Sequence, residues 1–168
     1  KRFKRGLIIH RLLQLLPELP VAQREAAARR FLARPALGLD VAQQQAWALE
    51  TLAVLQHPEF ADLFAPGSRA EVPLSGTIAG RQGPYVVSGQ IDRLLVAPER
   101  IVVVDYKTNR PPPQNLAEVP ALYLRQMAAY RALLREIWPG RPVECVLLWT
   151  DGPALMAVPE TLLDAHKP

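Results

Sequence analysis

Residues 101–107 read Ile-Val-Val-Val-Asp-Tyr-Lys, and no other stretch limits the fold as much. Four consecutive β-branched or aliphatic residues fit a strand buried on both faces, the kind found at the centre of a helix-covered sheet. A buried strand that ends in Asp105 and Lys107 calls for a reason, because an unpaired charge in an apolar setting is costly. Successive strand residues alternate faces, so Asp105 and Lys107 point the same way.

The surrounding pattern supplies the rest of the sheet. Apolar alternation places strands at roughly 70–78 and 84–96 ahead of one at 100–107. Arg81-Gln82-Gly83 and Pro98-Glu99-Arg100 are short enough for hairpin turns. Pro111-Pro112-Pro113 keeps the next segment stiff and extended. A long helix is expected over Leu116–Trp138, ended by Pro139-Gly140, followed by a strand over Val143–Thr150. A crossover helix between two strands permits parallel pairing there. A short strand over Leu155–Val158 and a helix over Pro159–His166 complete the chain. Ahead of the strands, helices are expected over Arg2–Leu16 and Pro20–Arg34, then from an Asp40 N-cap to about His57, with a helical turn at Glu59–Phe64. The expected fold is α/β. A three-stranded antiparallel meander plus a fourth strand after the crossover helix forms a mixed central sheet, with helices on both sides.

A length of 168 residues fits one domain, here an N-terminal helical segment of about 1–64 and an α/β core of about 68–158. The first residue, Lys1, is not Met, and the chain is expected to be a piece of a longer one. Apolar residues make up 49% and charged residues 21%, which argues for a globular chain against a disordered one. No apolar run is long enough to span a membrane, and no membrane partner is expected. The single cysteine, Cys145, excludes a disulfide framework, a cysteine zinc site and a four-cysteine iron–sulfur cluster. Basic residues outnumber acidic ones by 20 to 16, and only four of the twenty are Lys. The resulting charge of +4, carried mostly by Arg, suits an anionic partner without identifying one.

Asp92 interrupts an otherwise apolar strand in Gly89-Gln90-Ile91-Asp92-Arg93. Counted back from the turn at 98–99, Asp92 and Asp105 are equally distant, which brings them together across the hairpin. Two converging carboxylates repel unless a cation sits between them, and hard oxygen ligands suit Mg2+ or Mn2+. Such a cation can activate water and neutralise charge on a scissile phosphate, with Lys107 beside it. The plainer alternative is two surface aspartates and a salt-bridged lysine.

Gly89-x-x-Asp92 followed by Asp105-Tyr106-Lys107-Thr108 resembles the RecB-type branch of the PD-(D/E)XK nuclease superfamily. Gly6-Leu7-Ile8-Ile9-His10 resembles its G-x-x-x-H element, Glu71 its first-strand acidic residue, and Gln126 to Tyr130 its Q-x-x-x-Y element. The opening GLIIHRLLQLLPELP is most similar to the C-terminal nuclease domain of AddA-type helicase–nuclease subunits. The resemblance implies a restriction-endonuclease-like fold and a Mg2+-dependent deoxyribonuclease, with Mn2+ able to substitute and no iron–sulfur cluster. His10, Asp92, Asp105 and the Tyr106 backbone carbonyl would be metal ligands. Asp92, Asp105 and Lys107 would form the catalytic set. Glu71, Gln126 and Tyr130 would contact DNA or support the site. The implied setting is the bacterial cytoplasm. There an exonuclease cuts single strands delivered by a helicase in the same full-length chain, beside an AddB-like subunit, in double-strand break repair and recombination. An inactive DNA-binding or assembly module of the same fold, or a stand-alone RecB-family exonuclease, are the alternatives.

Overall fold

In a computed structural model describing residues 2–168, five strands form one mixed sheet in the order β1-β2-β3-β4-β5. Strands β1 (Ser68–Gly80), β2 (Gly83–Val96) and β3 (Ile101–Lys107) run antiparallel to their neighbours as a meander. Strand β4 (Val143–Trp149) pairs parallel to β3 after a crossover helix, and β5 (Ala154–Val158) closes the edge antiparallel to β4. This is the α/β mixed sheet expected from the sequence, with β5 as its fifth strand. Lys1 lies outside the described residues.

Strand β3 is the middle strand because its side chains fill both faces. Ile101 and Val103 pack toward Leu124, Met127 and Leu134 of helix α4 (Ala121–Ile137) and Leu163 of helix α5 (Glu160–Ala165). Val102, Val104 and Tyr106 pack the other way. Their partners are Ile9 and Leu13 of helix α1 (Arg2–Leu15), Val54 of helix α3 (Val41–Gln56), and Phe60 and Phe64 of a 3-10 segment (Pro58–Phe64). Each fully buried aliphatic side chain is worth about 1.5–3 kcal/mol, so β3 anchors both layers. Helix α2 (Val21–Leu32) adds an outer layer, where Ala28 and Leu32 meet Leu12, Leu16 and Trp47. No helix among the described residues is long and apolar enough to cross a membrane.

Local signals set most boundaries. Asp40 caps α3 in a reciprocal box, accepting from the Gln43 N–H at 2.7 Å while the Gln43 side chain accepts from the Asp40 N–H at 3.1 Å. The helix expected over Leu116–Trp138 is shorter than the sequence suggested. Leu116–Glu118 is a separate 3-10 turn capped by Asn115, and α4 starts at Ala121. Pro120 explains the break: it cannot donate to the preceding turn, and it drives Val119 to an extended conformation.

Two glycines permit close contacts that place the site. Gly6 lets α1 lie against the chain leaving β3, where an added Cβ would come within 3.0 Å of Thr108 Oγ1. Gly89 lets the Tyr130 hydroxyl of α4 rest directly on β2, well inside the distance any Cβ tolerates. Gly89→Ala is therefore expected to destabilise the fold by about 1–3 kcal/mol through overpacking. Adding Tyr130→Phe, which removes the nearest atom, should recover part of that loss. Denaturant melts of the two variants test the contact.

Candidate active site

The site forms where both ladders of β2 fail. Pairing with β1 runs through Ala70–Arg93 and resumes at Val72–Ile91, passing over Glu71 and Asp92. Pairing with β3 ends at Arg93–Val104. The Asp92 carboxylate takes over at that gap, accepting the Tyr106 N–H on Oδ2 at 2.8 Å. Glu71 sits in the left-handed region with φ of 52°, a conformation that costs a non-glycine residue about 1 kcal/mol or more. Its carbonyl is held by the Gln90 side chain at 3.1 Å. The strained turn of backbone leaves the Glu71 side chain beside Asp92.

His10 comes to the same place from α1, its Nδ1 lying 3.4 Å from Asp92 Oδ1 and its ring edge-on to Tyr106. One ligand atom each from His10, Glu71 and Asp92 lie within 4.8 Å of one another. Asp105 and Lys107 project from β3 toward α4 and pair at 2.7 Å. The Lys107 ammonium lies 3.7 Å from the centre of the Tyr123 ring on α4, in cation–π contact. Gln126 Nε2 donates to the Tyr130 hydroxyl at 3.1 Å. No hydrogen bond among the described residues joins either to Lys107; Tyr123 supports that side chain.

The protonation balance reflects crowded carboxylates. Burial first, and then the charge of Asp92, push the Asp105 carboxyl up to about 7 against the pull of Lys107. Burial and Asp92 also raise Glu71. Asp92 itself is held down: burial opposes ionisation, but His10, a proton shared with Asp105 and the Tyr106 N–H together prevail. His10 is raised although burial works against it, because Asp92, Asp105 and Glu71 favour the imidazolium. Without a cation, the cluster thus keeps protons it would otherwise shed.

These residues fit a divalent cation. The donor set is one imidazole and several hard carboxylate oxygens. Asp105 Oδ2 is buried and faces only the Lys107 ammonium, 2.7 Å away, without a well-aligned hydrogen bond, so it keeps capacity to ligate a cation. A bound cation would also lower the raised carboxyl groups, since metal ligation competes with protons.

Deeper residues brace the site. Arg93 is 1% exposed and pairs with no carboxylate among the described residues; it donates to the Tyr106 hydroxyl at 3.0 Å and Ser68 Oγ at 2.8 Å, and lies over the Phe64 ring. Arg5, 3% exposed, grips Glu50 of α3 with two nitrogens and donates to the Thr108 carbonyl at 2.6 Å. Thr150 donates its hydroxyl to Glu50 at 2.7 Å and its N–H to the Lys107 carbonyl at 3.0 Å. The backbone on both sides of the Lys107–Thr108 peptide is thus clamped from α1, α3 and the end of β4.

Sequence reasoning missed Tyr123, Arg5, Glu50, Thr150 and Arg93 as site residues. Tyr123 had a signal, standing three before Gln126 and seven before Tyr130 on one helical face. Arg5 and Glu50 had none, being 45 positions apart. Cys145 is buried and its thiol is pushed up to about 12, as suits a small apolar core residue.

In the metal-free protein, Asp105 binds its proton more tightly folded than unfolded. That contribution favours folding at low pH and is lost as the pH rises from 3.8 toward about 7. The raised Glu71 and His10 act in the same direction. The melting temperature of the metal-free protein is expected to fall across that range; Mn2+ should restore it, and Asp105→Asn should flatten the slope. Glu50→Ala leaves Arg5 buried and unpaired, and should cost about 3–5 kcal/mol in a denaturant melt.

Residues 1–161 match the PD-(D/E)XK nuclease superfamily. A search of curated proteins finds no match. Among solved structures, the crystal structure of SSO0001 is similar over 93% of this chain and 70% of its own, at 18% identity and a TM-score of 0.39, a likeness too slight to add to the argument. The match across nearly the whole chain, with the mixed sheet and the acidic cluster on β1, β2 and β3, means that the chain belongs to the PD-(D/E)XK nuclease superfamily.

Proposed function

We propose that this protein is a divalent-metal-dependent deoxyribonuclease that hydrolyses phosphodiester bonds, with Mg2+ as the physiological cation and Mn2+ able to replace it. The observation that carries the reading is the meeting of His10, Glu71 and Asp92 beside the Asp105–Lys107 pair. His10, Asp92 and Asp105, with Glu71 and the Tyr106 carbonyl, would hold the cation. When bound, it supplies Lewis-acid charge at the phosphate and a lowered pKa for water.

The protein's own groups do the positioning. Asp92 keeps the end of β3 in place through the Tyr106 N–H, so Asp105 and Lys107 present a fixed geometry. Lys107 is a donor only; one donor faces Asp105, the ammonium rests on Tyr123, and the remaining donors can hold a phosphate oxygen or the attacking water. Water gives up a proton and adds to phosphorus, the P–O bond to the leaving sugar oxygen breaks and that oxygen takes up a proton from solvent, and the ammonium offsets the negative charge that grows on the phosphoryl oxygens. Gln126 and Tyr130 brace α4 against β2 and support the site or touch the strand alongside.

The finer reading is an exonuclease cutting single strands fed by a DNA motor, in an AddAB-like helicase–nuclease of the bacterial cytoplasm that serves repair and recombination. The order of the five motifs from Gly6 to Tyr130 and the GLIIHRLLQLLPELP opening support that placement, and on it the chain is the nuclease part of a longer protein.

Labelled linear single-stranded DNA incubated with Mg2+, Mn2+ or EDTA tests the activity. Cleavage should need metal and fall about a thousandfold in Asp105→Ala, the size of a loss of roughly 4 kcal/mol in transition-state stabilisation. Full cleavage by a clean preparation of that variant would sink the assignment.

A further inference from the structure

Helix α1 brings more than His10 to the site. Phe3, Leu7 and His10 stand at i, i+4 and i+7, on one face of the helix. Phe3 is 83% exposed and Leu7 63% exposed, whereas the other side of the helix buries Ile9, Leu12 and Leu13 completely. A large aromatic and a leucine left in solvent on one face need a purpose. Both line a cleft of about 750 Å³ that also contains His10, Glu71, Asn109 and Tyr123. One wall is the apolar face of α1. The other is the Tyr123 ring, whose hydroxyl accepts from Asn109 at 3.5 Å and whose face holds the Lys107 ammonium. The volume falls in the range of about 300–1,000 Å³ common to small-ligand sites.

We infer that Phe3 and Leu7 form a stacking platform for the unpaired bases of a single nucleic-acid strand, next to the candidate cation site of His10, Glu71 and Asp92. The inference rests on the proposed nuclease reading and names what that site accepts. Every base has an apolar π-face that stacks on an aromatic ring regardless of sequence. Inside a duplex those faces are already covered by neighbouring bases, so an internal nucleotide can use Phe3 only when its strand is unpaired. The position of the platform argues against a protein occupant: a partner seated on Phe3 and Leu7 would fill the cleft that His10 and Glu71 also line, and would block a phosphodiester from the ligand group they form with Asp92. The alternation of apolar platform and charged floor matches a strand that presents bases on one side and phosphates on the other.

Binding of a fluorescent oligothymidylate is compared with that of an equally long oligomer of abasic sites, by anisotropy in Ca2+ to separate binding from cleavage. The wild type should prefer the base-bearing strand by about tenfold or more, the scale of one or two stacked bases. Phe3→Ala and Leu7→Ala should lose most of that preference while binding the abasic oligomer as before, and Phe3→Trp should keep it. Both side chains are exposed, so circular dichroism should show an unchanged fold. If Phe3→Ala keeps the wild-type preference, the platform is refuted, and Mn2+-dependent cleavage by the same variant would show that the nuclease reading survives it. If the wild type cleaves nothing with any metal, the nuclease reading fails while the binding ratio still decides the platform.

Discussion

The hydrogen bond from the Tyr106 N–H to the Asp92 carboxylate holds the site together. At that point β2 has left the ladder with β3, and a side chain does the work of a backbone carbonyl. The exchange satisfies a buried donor, keeps β2 and β3 in register, and fixes an ionised oxygen where His10 and Glu71 can reach it. Glu71 contributes through strain, since its left-handed backbone takes it out of the β1–β2 ladder directly opposite Asp92. A regular sheet would have buried or dispersed these groups; the site is built from the places where pairing stops.

Concentrating carboxylates in this way has an electrostatic consequence. Asp92, Asp105 and Glu71 cannot all be ionised without compensation, and the imidazole of His10 and the ammonium of Lys107 offset only part of the repulsion. The cluster in its metal-free form retains protons, which is the state a divalent cation would displace. Lys107 meanwhile is held by geometry as well as charge. Its carbonyl is bonded by Thr150, the next carbonyl by Arg5, and its ammonium lies between Asp105 and Tyr123. The buried Arg5–Glu50–Thr150 group is therefore more than a core salt bridge, because it ties three elements to the backbone at Lys107 and Thr108.

Much of this was legible in the chain. The Ile101–Tyr106 run marked the central strand, Asp40 marked the start of α3, and the Pro98-Glu99-Arg100 turn set a register that brings Asp92 beside Asp105. These are short-range signals: a periodicity, a cap, a turn. The start of α4 was misplaced although Pro120 marked it, because the apolar spacing continued through the proline. Glu71 was visible only as an acidic residue in a strand. Its approach to Asp92 depends on a backbone conformation that no residue type at that position announces.

The order of elements and the mixed sheet follow from patterning within a few residues, and the same local patterns single out His10, Asp92 and Asp105 as candidates for a site. Which groups surround Lys107 follows from packing between distant segments and not from any local pattern. Tyr123, Arg5, Glu50 and Thr150 lie far apart along the chain and meet because α1, α3, α4 and β4 all converge on the end of β3. Packing also decided that Phe3 and Leu7 face the cleft, because the close approach at Gly6 sets how α1 lies against the sheet. Contacts between distant segments depend on how whole elements pack, and a local pattern carries no information about the direction in which an element faces once it is packed.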